Sequence, residues 1–245
     1  MNIIGIVPAR FGSTRFPGKP LVDINGKSMI QRVYEQCIQA SRLSKVVIAT
    51  DDGKILNHIL EFGGNAVLTS PQHQSGTDRC AEVIEKIGVE KWDVVINIQG
   101  DEPFIHPEQI DLLCSAFDDE ETKLATIVKK ISSIDELFNH NNVKVILNKR
   151  KEAVYFSRTP IPYNRNFPEQ DWLKYSAYYK HIGIYGYRTQ TLMEVSKLAK
   201  TNLEITESLE QLRWIENGYI IRAEITNLES IAIDTPDDLL KIKSI

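Results

Sequence analysis

The chain has 245 residues, 42% of them hydrophobic and 25% charged, and a net charge of −4. That length can bury a substantial core, and those proportions are ordinary for a globular protein. The acidic balance argues against a general nucleic-acid binder, and no apolar run nears the ~18–20 residues that cross a bilayer.

The N-terminus, MNIIGIVPAR, shows neither a basic leader nor a small-residue cleavage site. It enters directly what reads as a core strand at 3–8, so a cytoplasmic location is expected. The next stretch, PARFGSTRFPGKP (8–20), carries Arg10, Arg15 and Lys19 with no acid among them, spaced by Gly12, Ser13 and Gly18. A glycine-bearing turn after a parallel strand lets backbone N–H groups approach a phosphate. Arginine adds forked donors and lysine a compact charge. The stretch is not GxGxxG, and Lys19 is followed by Pro20 rather than Ser or Thr. A dinucleotide dehydrogenase and a P-loop ATPase are therefore disfavoured. Two readings stand at this point: a cradle for a triphosphate, or a solvated basic turn.

Helices are predicted at 28–41, 54–62 and 76–87, between strands at 45–50, 65–69 and 93–98. In the first helix Met29, Val33, Cys37 and Ile38 share a face, and Ser28 stands at the N-cap. Strand–helix alternation implies right-handed βαβ units, a mostly parallel sheet and helices on both faces, with ligands beyond the strands' carboxyl ends. The segment HQSGTDR (73–79) opens the third helix. Its free amides could meet a base or a phosphate, or it could be a plain capping turn. NIQGDEP (97–103) ends a strand in carboxylates. Mg2+ is often held by one or two carboxylates plus substrate phosphates, and Asp101 fits that task. The competing role, capping a helix near 107, is weakened by Pro103 and Pro107 in between.

The second half reads as strands at 124–130, 143–148, 152–157 and 181–187 and helices at 107–117, 189–199 and 206–217. The stretch 158–179 reads as a loop. Short strands at 219–225 and 231–233 precede a last helix from about 236. Asp234 ends the second of these strands. It is either a metal ligand or part of the cap, although Thr235 before Pro236 is the natural N-cap. Cys37, Cys80 and Cys114 fit buried reduced thiols rather than a disulfide framework, and the five histidines show no metal-ligand spacing. No repeat or linker divides the chain, so one domain spanning 1–245 is expected.

Taken together, PARFGSTRFPGKPL, HQSGTDR, NIQGDEP, YFSR, KHIGIYGY, ESLEQLRWIENG and DTPDDL, in this order from residue 3 to about 240, closely resemble the 3-deoxy-manno-octulosonate (Kdo) cytidylyltransferases, or CMP-Kdo synthetases. The resemblance implies an α/β, Rossmann-like nucleotide-diphospho-sugar transferase fold and a homodimer. Residues of about 1–118 would form a nucleotide-binding half and about 119–245 a sugar-binding and dimerisation half. It implies transfer of CMP from CTP to Kdo with release of pyrophosphate, for lipopolysaccharide synthesis, with no nucleic-acid partner and no membrane insertion. On this resemblance Arg10, Arg15 and Lys19 hold the CTP phosphates, and Ser13 also binds the nucleotide. Pro8, Ala9, Ser75, Gly76 and Arg79 frame cytosine and ribose, and Gln99 lies between nucleotide and sugar. Asp101 and Asp234 hold Mg2+, and a second ion or Lys19 steadies the leaving group. Arg158, His181, Tyr185, Glu210 and Gln211 line the sugar side.

The bland readings are a Glu210–Arg213 surface pair, a core Tyr185 and a structural His181. Phe11 and Phe16 stand where the family also has Tyr and Leu. An 8-amino-Kdo or sialic-acid cytidylyltransferase shares this chemistry. A nucleotide-binding regulator without turnover would lack the two carboxylates.

Overall fold

The computed structural model describes all residues except 13–15, 231, 234, 236 and 240–245. The expectations for Ser13, Arg15 and Asp234 lie outside the described residues. The first half alternates as the periodicity predicts. β1 (Ile3–Ala9) leads through a short hairpin, β2 (Asp23–Ile24) and β3 (Lys27–Ser28), into α1 (Met29–Cys37). Then follow β4 (Lys45–Thr50), α2 (Gly53–Glu61), β5 (Ala66–Leu68), α3 (Gly76–Ile87), β6 (Val94–Asn97) and α4 (Pro107–Ser115). Ser28 caps α1 by accepting from Gln31 N at 3.2 Å, and α1 stops four residues short of the predicted end. The second half contains β7 (Leu124–Lys130), α5 (Ile134–Phe138), β8 (Lys144–Leu147), β9 (Ala153–Ser157), α6 (Trp172–Tyr175) and β10 (Tyr179–Arg188). It closes with α7 (Thr189–Val195), α8 (Asn202–Glu207), α9 (Gln211–Glu216) and β11 (Arg222–Thr226).

The sheet runs β11-β7-β10-β6-β1-β4-β5. Six of these strands point one way, and β10 alone is antiparallel to both neighbours. β8 pairs with the start of β10 and carries β9 outside it. Strand alternation sorts β1 into two cores. Ile3 and Val7 join Ile30, Val33, Ile48 and Ile110 on one face. Ile4 and Ile6 join Val83, Ile84, Leu192 and Trp214 on the other. Each such fully buried aliphatic side chain contributes about 1.5–3 kcal/mol. The sheet is covered on both faces, and the carboxyl ends of β1 and β6 emerge together.

Three expectations are corrected. The predicted helix 206–217 is two helices, because Ser208 adopts the left-handed conformation (φ 53°, ψ 48°) and ends α8. Glu210 therefore stands at the start of α9 and not mid-helix. Of the predicted strand 231–233, residues 232 and 233 carry no ladder. Instead Ile233 N donates to Asp101 O at 2.9 Å, a single bond to the loop after β6. The loop 158–179 contains α6, which packs Trp172 and Tyr178 on Ile131 and Leu137. Residues 237–239 are helical and Thr235 caps them, its Oγ1 accepting from Asp238 N at 3.3 Å. The three thiols are buried and unpaired. Burial pushes all three up, Cys114 to about 12.

Candidate active site

The carboxyl ends of β1 and β6 and the start of α3 enclose a cleft of about 250 Å3. Pro8, Ala9, Arg10, Lys19, Ser75, Gly76, Arg79, Gln99 and Asp101 all line it. Nine positions expected at the nucleotide and metal thus converge from segments 90 residues apart. Each is held by local chemistry. Gly18 takes φ 71° to turn the basic loop into the 3-10 turn that carries Lys19. Ser75 and Asp78 cap α3 reciprocally, at 3.1 and 3.2 Å, which aims the helix start at the cleft. Arg79 lies deeper. Its guanidinium is committed to Asp51 (2.8 Å), Thr69 (2.7 Å) and Ser70 O (3.3 Å), so it shapes the wall more than it reaches into the space.

Gly100 is where the two strand ends nearly touch. A Cβ there would stand 2.6 Å from Pro8 O, a backbone atom that cannot swing aside. Gly100→Ala is expected to push the 99–101 loop off β1, destabilise by about 1–3 kcal/mol and cut turnover at least ~10-fold. Urea unfolding and kcat check this, and unchanged kcat would show that the close approach does not set the site.

Lys19 and Asp101, expected to serve phosphate and metal separately, form an ion pair at 2.7 Å, and Lys19 Nζ also donates to Ile233 O at 3.0 Å. Among the described residues no group of three or more possible ligands could hold a metal by itself. The donor chemistry still fits Mg2+. Asp101 is a hard oxygen ligand at a strand end that already gathers a cation, and Mg2+ commonly takes its other ligands from substrate and water.

The sugar-side expectations form a second group past Gln99. The β6–β10 register pairs Asn97 with Tyr185, and Gln99 lies against Gly183, where a Cβ would stand 3.4 Å from the Gln99 Cγ. His181 stacks edge-on with Phe156 (5.3 Å), lies 5.1 Å from the Tyr185 ring and hydrogen-bonds Thr126 at 3.0 Å. Tyr185 is buried against Trp214 with its hydroxyl unpartnered. Glu210 Oε2 accepts from Thr77 at 2.8 Å, while its Oε1 is buried without a hydrogen-bond partner. These last two are orphaned polar atoms of the kind a polyhydroxy ligand satisfies. Gln211 is buried beside Glu210. Arg158 is less free than expected. It donates to Glu207 O (2.8 Å), Ser208 O and His140 O (both 3.3 Å), and so braces the turn between α8 and α9.

The chain matches the family model for cytidylyltransferases over residues 4–231. It is 56% identical over 245 residues to the 3-deoxy-manno-octulosonate cytidylyltransferase of Parabacteroides distasonis, covering 98% of this chain and 96% of that one. The chain belongs to the 3-deoxy-manno-octulosonate cytidylyltransferase family. The structure of a CMP:2-keto-3-deoxy-manno-octonic acid synthetase complexed with CTP is also similar, at 42% identity and a TM-score of 0.92, covering 100% of this chain and 98% of that one. A Leptospira borgpetersenii cytidylyltransferase shares the fold at 14% identity and a TM-score of 0.64, covering 100% and 86%.

Within this family frame, two residues outside the sequence reading stand beside the site. Glu102, next to Asp101, turns the opposite way. It is buried and accepts from Ser230. Burial pushes its carboxyl up to about 7 despite that bond. Only its place in NIQGDEP hinted at it. Thr77 lies inside the quoted HQSGTDR, where its partner 133 residues on is invisible.

Burial also pushes His181 down to about 3. This cytidylyltransferase family member should therefore keep His181 neutral from pH 5 to 9. Because the folded value lies below the ordinary ~6.5, the associated stability is complete above that pH and is lost as pH falls toward 3. The imidazole NMR signal of His181 should not titrate above pH 5; a midpoint near 6.5 would contradict its burial.

Proposed function

We propose that the chain transfers the cytidylyl group of CTP to Kdo, giving CMP-Kdo and pyrophosphate. The observation that carries this is the convergence of Arg10, Lys19, the α3 N-terminus and Asp101 in one cleft, in a chain so close to named Kdo cytidylyltransferases. In this reading the anomeric 2-hydroxyl of Kdo attacks the α-phosphorus. A P–O bond forms, the α–β bridge breaks and pyrophosphate leaves with its charge. Both substrates are anions, so compensation and positioning dominate the barrier. Arg10 and Lys19, with Arg15 by resemblance, take the phosphates, and Ser13 by resemblance binds the nucleotide. The amides of α3 and the backbone at Pro8 and Ala9 frame the nucleoside, and Gln99 separates it from the sugar. His181, Tyr185, Glu210 and Gln211 meet hydroxyls of Kdo, and Arg158 faces its carboxylate. Asp101 and Asp234 would hold Mg2+, which supplies charge neutralisation and a more acidic attacking hydroxyl when bound.

The same reading makes the protein a cytoplasmic homodimer whose product feeds lipopolysaccharide synthesis. The exposed aromatics of the 158–179 segment, Tyr163 and the stacked Phe167–Tyr175 pair, support a partner surface in the second half. Light scattering should give twice the 27.9 kDa chain mass.

The test is pyrophosphate release from each of the four NTPs with Mg2+ and Kdo, 8-amino-Kdo or a sialic acid. Release confined to CTP and Kdo is expected. Release with CTP and another acid would keep the chemistry and overturn the sugar, and no release with any pair would overturn the reading. Arg158→Ala should raise the KM for Kdo about 10-fold, about 1.4 kcal/mol, with that for CTP little changed. An equal rise in both would move Arg158 away from the sugar.

A further inference from the structure

A polar chain runs beneath the start of α3 to Glu210, and its members Thr77 and Tyr187 have no role so far. Thr77, only 1% exposed, donates its hydroxyl to Glu210 Oε2 at 2.8 Å. The same hydroxyl lies 3.5 Å from Tyr187 Oη, which also hydrogen-bonds Asn97 at the end of β6. A threonine in a helix can satisfy its hydroxyl on a carbonyl of the preceding turn. Thr77 instead reaches across to another element. Glu210 does not cap its own helix; Thr77 donates to its Oε2, and Ser75 also hydrogen-bonds the carboxylate. Its Oε1 makes no hydrogen bond and is paired only loosely, at 3.9 Å, with Arg213 Nη2, a guanidinium already forked onto Glu204. The carboxylate is held by Thr77 and Ser75 and drawn by Arg213, so its orientation depends on the balance among them. Without Thr77 it would be free to swing toward Arg213 and withdraw Oε1.

We propose that Thr77 is a positioning residue: its hydroxyl holds Glu210 so that Oε1 faces a hydroxyl of the sugar acid, and so links the nucleotide-side helix start to the sugar side. This rests on the Kdo reading above. Thr77 is almost fully buried and gives its hydroxyl to Glu210, so its effect should pass through Glu210.

The experiment compares full-length wild type, Thr77→Val, which keeps the shape but not the hydroxyl, and Thr77→Ser, which restores the donor. Steady-state kinetics with CTP and Kdo, calorimetric CTP binding and urea midpoints are measured for each. Thr77→Val should raise the KM for Kdo about 10-fold. Its CTP affinity should stay within about twofold of wild type, and Thr77→Ser should return the KM close to wild type. In a Glu210→Ala background Thr77→Val should add nothing further. An unchanged KM for Kdo, an equal loss of CTP affinity, failure of serine to rescue, or additive effects with Glu210→Ala would each overturn the role. If Thr77→Val does not fold, Thr77→Ala lacks the hydroxyl without added bulk and carries the same expectations. Wild type that turns over Kdo beside an indifferent Thr77→Val sinks the positioning role alone; wild type inert to Kdo sinks both readings.

Discussion

Asp101→Asn is expected to lower turnover about 10^3-fold, about 4 kcal/mol of barrier, while the fold persists. The substitution keeps the shape and removes the charge. It takes away the carboxylate proposed to hold Mg2+, in the loop after β6, and the partner of Lys19 at 2.7 Å. The pair is only partly buried, with Asp101 27% exposed, so its loss should cost less than about 1 kcal/mol of stability. Activity and stability should thus separate: kcat collapses, the dependence on divalent ion flattens and the urea midpoint barely moves. Near-normal kcat in Asp101→Asn would mean that the cation site lies elsewhere.

Glu204→Ala is expected to do the reverse, destabilising by about 3–5 kcal/mol. Arg213 donates to both oxygens of Glu204, at 2.7 and 2.6 Å, with side chains 7% and 9% exposed, and to Leu198 O at 3.1 Å. Removing the carboxylate leaves a buried guanidinium without its counter-charge, beneath the turn that presents Glu210. Burial alone would raise the Glu204 carboxyl, but the hydrogen bonds and charge of Arg213 outweigh it, and the net displacement is downward. The sign follows. The pair's contribution is complete above the ordinary carboxylate range and is lost as pH falls through the lowered folded value. The stability gap between wild type and Glu204→Ala should therefore narrow in acid. A gap that is small at neutral pH, or constant with pH, would show that the pair is not what holds α8 to α9.

The cleft was legible because the residues that line it sit in contiguous strings at strand ends. PARFGSTRFPGKP, HQSGTDR and NIQGDEP each follow a strand or open a helix, and parallel topology brings such places together. β-branched runs marked β4 and β7 to the residue, and the SGTD cap marked the start of α3. The direction of β10 was not legible, since an apolar run has the same pattern in either sense. Nor was the break at Ser208, because the 3.6-residue period continues through it and only the backbone's left-handed turn interrupts it. The contacts that organise the site, Lys19 with Asp101 and Thr77 with Glu210, join residues 82 and 133 positions apart. Each partner alone reads as an ordinary loop or helix residue. The sugar-side set came from the resemblance. The bonds that fix the Arg158 guanidinium on the carbonyls of Glu207 and Ser208 were not legible either, since they come from residues about 50 positions on.

The most direct test of cytidylyl transfer is a single turnover with CTP labelled at the α-phosphorus, excess enzyme and Kdo, quenched in acid and resolved for free and protein-bound label. Direct attack by the sugar hydroxyl predicts that all label appears as a one-to-one CMP-Kdo product with equimolar pyrophosphate and none on the protein. Label retained on the protein, or released as CMP without the sugar, would contradict it.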